Sequence, residues 1–121
     1  MAKLFDKDIL VYNAQVSLVD TKATDYPQWE NGEEKFVYSD AGVAVATDTD
    51  KNVRVVVATE ASKNMYFLGI AYINIGADGF LVGNEISGDK HHIQWDSGKT
   101  KVEVFVDSKD GFPEVVEFIL K

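Results

Sequence analysis

Apolar residues recur at every second position over much of this chain, the period of a strand with one face buried. Leu10, Tyr12, Ala14, Val16 and Leu18 share one parity, with Asn13, Gln15 and Ser17 on the other. Val43 and Val45 open a second run, Val53, Val55 and Val57 lie in phase on a third, and Val102, Val104 and Val106 alternate with Lys101, Glu103 and Phe105. Helix-period stripes are hard to find; one short helical turn is expected around 28–35, interrupted by Gly32. The pattern predicts strands over 8–19, 36–39, 42–48, 53–60, 64–76, 79–87, 90–96, 100–107 and 113–120.

Turn chemistry separates these runs. Asp78-Gly79 and Asp110-Gly111 are hairpin signals, because glycine accepts the positive φ of a tight primed turn. Ser97-Gly98 and Asn31-Gly32 are weaker versions, and the polar stretch 48–52 (DTDKN) is expected as a five-residue hairpin loop. Short strands joined by turns, with no room for helical crossovers, predict an all-β chain. Such strands make a sandwich or a barrel; the expected architecture is an antiparallel β-sandwich of about eight or nine short strands, one domain over residues 1–121, with a barrel as the alternative.

Charge adds a second pattern. The chain of 121 residues carries 20 acidic and 12 basic side chains, a net charge of −8. Residues 20–50 hold eight of the acids (Asp20, Asp25, Glu30, Glu33, Glu34, Asp40, Asp48, Asp50) against Lys22 and Lys35, a local net of −6. Tyr26, Trp29, Phe36 and Tyr38 lie in the same stretch. Acids mixed with aromatics suit a protein interface, where aromatic anchors hold and charge steers. Two readings of the stretch stand side by side: an interface, and a loop whose aromatics plug the open end of the sandwich while its acids stay solvated. Solubility alone accounts for the total charge equally well. The interface reading selects Asp25, Tyr26, Trp29, Glu30, Glu33, Glu34 and Asp40 as partner-binding residues.

The same acidity repels nucleic-acid phosphate and anionic lipid, so neither nucleic acid nor a membrane is expected as partner. Arg54 is the single arginine, whereas a phosphate-reading groove would carry more bidentate forks. Asp6 and Asp8 fall where a secretory signal would carry its apolar stretch. The longest apolar run, Met65 to Ile73, is far shorter than the ~20 residues that span a bilayer. A cytoplasmic location is therefore expected.

Catalytic chemistry is not visible. No cysteine is present, which excludes disulfides, thiolate zinc sites and cysteine nucleophiles. His91 and His92 are adjacent on an expected strand and point to opposite faces, so one is expected inward and one wet. Asp48, Asp50 and Asn52 copy the start of a calcium loop, but Val53 and Thr59 stand where it needs glycine and a bidentate glutamate. No nucleophile elbow or phosphate-binding glycine loop appears, and carboxylates such as Glu114 and Glu117 lack distinguishing context. No enzyme activity, metal or cofactor is expected. Trp95 ends a strand and reads as core.

The order of features has a further meaning. An opening strand leads to QWENGEEKFVYSDAGVAVAT at 28–47, then VRVVVAT, then ADGFLVG at 77–83, and finally KHHIQWDSGKTKVEVFV and PEVVEFIL. This succession resembles the competence protein J family, bacterial inhibitors of a DNA-entry nuclease. The resemblance implies an inhibitor or immunity protein that binds a nuclease or toxin directly, a basic protein being the partner an acidic surface would meet. The alternative reading is a small-molecule or carbohydrate-binding β-domain, with Trp29, Tyr72 or Trp95 lining a pocket.

Overall fold

A computed structural model describes residues 3–121. The chain is all-β: two five-stranded sheets are packed face to face as a sandwich, with no helix among the described residues. The strands are β1 (Lys3–Val11), β2 (Gln15–Asp20), β3 (Phe36–Ser39), β4 (Gly42–Ala46), β5 (Lys51–Ala58), β6 (Tyr66–Ile75), β7 (Phe80–Gly83), β8 (Lys90–Ile93), β9 (Gly98–Val106) and β10 (Val115–Leu120). One sheet has the order β1-β5-β10-β9-β6, the other β3-β4-β2-β7-β8. Among the described residues all pairings are antiparallel except β5–β10, which is parallel: after β5 the chain passes through both sheets before β10 returns beside it.

The core lies between the sheets. Val53, Val55 and Val57 of β5, Val102, Val104 and Val106 of β9, and Val116, Phe118 and Leu120 of β10 meet Val16, Leu18, Val43, Val45, Phe80 and Val82 from the other sheet. The period-two reading therefore holds for these runs. It fails at 8–19, which is two strands in two sheets. The chain turns at Asn13–Ala14, where Ala14 takes φ 56°, and the parity of buried residues changes: Ile9 and Val11 face inward on β1, Val16 and Leu18 on β2. Tyr12 is half exposed instead of core. Asn84, itself buried, pins this corner by donating from Nδ2 to Asn13 Oδ1 at 2.6 Å and to the Gln15 carbonyl at 2.8 Å.

Residues 48–52 do not form a hairpin loop, because β4 and β5 belong to different sheets. They cross beside the first corner, the Asp50 amide donating to the Val11 carbonyl at 2.7 Å. Asp78-Gly79 likewise carries the chain from β6 in one sheet to β7 in the other. Asp110-Gly111 does close a hairpin, β9 to β10, with Gly111 at φ 75°. The segment 28–35 contains no helical turn. His91 is half-buried against the Phe5 ring, 5.1 Å between centroids, while His92 is exposed, and Trp95 packs on the core's edge.

The long edges of the sandwich are closed. On one side Asp89 Oδ2 accepts the Leu10 amide at 2.8 Å and Ser87 Oγ donates to the Leu10 carbonyl at 2.7 Å, so side chains of the β7–β8 connection satisfy the outward backbone groups of Leu10 on edge strand β1. On the other side Phe36 of β3 lies on Gly69 of β6, and the Asn74 amide donates to the Asp40 carbonyl at 2.7 Å.

Candidate functional site

Among the described residues, two connections join strands of one sheet that are not neighbours, and each packs on an outer face. Residues 59–65 link β5 to β6 past β10 and β9; Ala61 covers the apolar outer residues Val56, Ala58 and Ile119, and the Ser62 amide donates to buried Glu117 at 2.9 Å. Residues 21–35 link β2 to β3 past β4, and this is the acidic-aromatic stretch.

Its path is set by hydrogen bonds. At the Gly42 end of β4, the Thr21 amide donates to the Gly79 carbonyl at 3.1 Å, and Ser39 Oγ donates to the Asp25 carbonyl. At the Ala46 end, Trp29 Nε1 donates to Gln15 Oε1 at 2.6 Å, and the Ala46 amide donates to the Lys35 carbonyl at 2.9 Å. The loop thus runs the length of β4, about 13 Å at the rise of a strand, over an outer face on which Ala44 is buried.

The partner-binding residues expected from sequence separate into two groups. Asp25, Tyr26 and Asp40 sit toward the Gly42 end, where Asp20 is occupied in accepting the Gly76 amide at 2.7 Å and Lys22 pairs with Asp78 at 3.0 Å. The Asp78 carboxylate beside it raises the Lys22 ammonium's pKa. Trp29, Glu30, Glu33 and Glu34 sit toward the Ala46 end. The carboxylates of Asp25, Glu30, Glu33 and Asp40 and the Tyr26 ring are exposed. Trp29 is half-buried, so it anchors the loop at least as much as it offers a surface.

Glu34 has a different job from its neighbours. Its Oε2 accepts the Glu30 amide at 2.8 Å and its Oε1 the Asn31 amide at 3.3 Å, which closes the turn around Gly32. These amides favour the charged form and hold its pKa below the usual carboxylate range. Asn31 Oδ1 accepts the Glu33 amide at 2.8 Å, completing the turn.

The Ala46 end also carries residues that the pattern of the chain did not single out. Lys35 Nζ donates to the Lys109 carbonyl at 2.8 Å, tying the acidic loop to the β9–β10 hairpin. Phe112 projects from that hairpin, 58% exposed. Two adjoining cavities, about 260 and 240 Å³, share Gly32, Glu34, Ala46 and Phe112 as walls. The local signal was an aromatic beside a hairpin turn, where a polar residue is the norm.

The lone arginine is not at this site. Arg54 donates from Nε to Asp6 Oδ1 at 2.8 Å and from Nη2 to Oδ2 at 2.7 Å across the β1–β5 pair. That fork holds the Asp6 carboxyl well below the usual carboxylate range. Among the described residues, no three His, Asp or Glu side chains gather as a metal-holding group.

The geometry defines a β-sandwich with an acidic connection clamped along the outside of one sheet. No family model matches the chain, and no curated protein matches it in sequence. Among solved structures it is similar to ComJ from Bacillus subtilis, an inhibitor of the DNA degrading activity of NucA, with a TM-score of 0.73 at 9% identity. The match spans 99% of this chain and 98% of that one, so the likeness is of the whole fold.

Proposed function

We propose that this protein is a non-enzymatic inhibitor that binds a basic partner protein, a nuclease or toxin, through the acidic connection between β2 and β3. The observation that carries this reading is the loop's construction. Hydrogen bonds hold it at both ends of β4, while Asp25, Glu30 and Glu33 on it, and Asp40 on the adjoining β3–β4 turn, stay exposed. A loop ordered before binding loses less entropy on docking than a mobile one, and exposed carboxylates raise the rate of encounter with a cationic surface. The fold shared with an inhibitor of a DNA-degrading enzyme supports the same reading. A nuclease must present cations to phosphate, and an acidic face can occupy them. Cytoplasmic residence, as an immunity protein beside its toxin, belongs to this proposal.

The test is titration of a basic nuclease with the purified chain. Cleavage should cease near equal stoichiometry, and the association rate should fall as salt shortens the reach of the charges to about 8 Å at physiological strength. Undiminished cleavage by every basic nuclease tried, with no partner retained from the native host, rejects the reading.

A further inference from the structure

The cavities at the Ala46 end form a groove with Phe112 as their common wall. One half has an apolar lining from Val45, Leu68, Val106 and Pro113, with Glu33 and Glu34 at its rim. Trp29 flanks the other half. Each half, about 260 and 240 Å³, has room for one inserted side chain.

Charge decides which side chain. The two segments bounding the groove, 30–35 and 107–114, hold Glu30, Glu33, Glu34, Asp107, Asp110 and Glu114 against Lys35 and Lys109, a net of −4. Lys35 is already committed to the Lys109 carbonyl. Glu34 is fixed by the Glu30 and Asn31 amides, and each carboxylate oxygen has a second lone pair to offer. The open ring of Phe112 supplies a face for a flat cation. Apolar walls, an oriented carboxylate and an exposed aromatic face together suit a guanidinium on an aliphatic stem better than a compact, strongly hydrated ammonium.

We infer that this groove receives an arginine side chain of the basic partner, stem against Ala46 and Leu68, guanidinium between Phe112 and the Glu33–Glu34 rim. The inference rests on the reading above and names its anchor point.

Its test uses the full chain, ¹⁵N-labelled and titrated with a blocked glycine peptide carrying two arginines. Amide shifts should concentrate at residues 32–35 and 111–112. Affinity should drop about tenfold for the lysine counterpart and about tenfold for Phe112→Ala, whose exposed site leaves the fold intact. The citrulline counterpart should not bind. Shifts spread evenly over the acidic surface, or equal affinity for the lysine peptide, overturn the inference. A parallel titration against a basic nuclease separates the two levels. If the nuclease is inhibited equally by the parent chain and Phe112→Ala, the groove inference falls and the inhibitor reading stands. If no nuclease is inhibited and no partner is retained from the native host, but the arginine peptide still titrates the groove, the groove chemistry stands and the inhibitor reading falls.

Discussion

Gly69 lets the two sheets close along one edge, and Gly69→Ala should show it. A Cβ built on Gly69 would lie 2.3 Å from Phe36 Cζ and 2.6 Å from Cε1. Carbon atoms rest about 3.5–4.0 Å apart, so the ring would have to retreat by more than ~1 Å. It has little room, being packed on the main core and stacked over Tyr38 at 6.2 Å between centroids. Overpacking of this kind costs about 1–3 kcal/mol, against a total stability of about 5–15 kcal/mol for a domain. For a chain of this size that is a fall in Tm of roughly 3–15 °C. Gly69 is not among the residues with positive φ, so alanine meets no backbone strain there and the ring contact is isolated. The decisive measurement is a double-mutant cycle by thermal or urea unfolding. In a Phe36→Ala background, Gly69→Ala should be neutral or stabilising, since glycine weakens a strand interior, giving a coupling of about 1–3 kcal/mol. Equal destabilisation in both backgrounds would refute the claim that Phe36 is why a glycine stands there. Phe36 opens β3 directly after the acidic connection, so the same displacement should also loosen partner binding.

Three further outcomes are expected. Glu30→Lys with Glu33→Lys should leave the unfolding midpoint unchanged and weaken binding to a basic nuclease by about tenfold or more, read by inhibition titration; Glu34→Gln should instead disturb the amide shifts of Glu30 and Asn31, because it closes the turn. The depressed pKa values of Asp6 and Asp89 give stability that is present above their unfolded-state values near 4 and lost as pH falls below them. The Asp6–Arg54 pair is partly exposed and screened, so Asp6→Asn should remove only about 1 kcal/mol at pH 7 and flatten the acid limb of the stability curve, measured by urea midpoints from pH 7 to pH 3. Val104→Asp, at a fully buried position facing the core, should abolish cooperative folding, since an unpaired buried carboxylate costs several kcal/mol beyond the lost packing; a soluble variant with a sharp transition would contradict the observed register.

Local patterns carried the strands that lay one face on the core, whatever strands they pair with. Val53, Val55, Val57 and Val102, Val104, Val106 alternate because each strand has one face on the core, and that is a property of the strand alone. The Asp110-Gly111 hairpin was legible for the same reason: positive φ at glycine is decided within the turn. So was the uneven charge over 20–50.

What the next strand pairs with is not local. Residues 8–19 look like one strand, but Ala14 turns the chain into the other sheet and reverses the inward parity. Residues 48–52 and Asp78-Gly79 have turn chemistry suited to hairpins, yet they join strands of different sheets; a turn dictates reversal, not the sheet to which the reversed strand belongs. The candidate site depends on the same non-local choices. Because β4 sits between β2 and β3, the acidic connection is forced along the outside of the sheet, and its residues divide between the two ends of β4. Because β9 and β10 close their hairpin at the Ala46 end, Phe112 comes beside Glu34 across 78 positions of sequence. The sequence by itself determined that the protein would be all-β with a concentrated acidic stretch, since alternation, turn residues and charge are written position by position. Only the tertiary structure decided that the stretch is clamped in place and shares a groove with an aromatic hairpin tip, because that meeting depends on strand order, which no local period encodes.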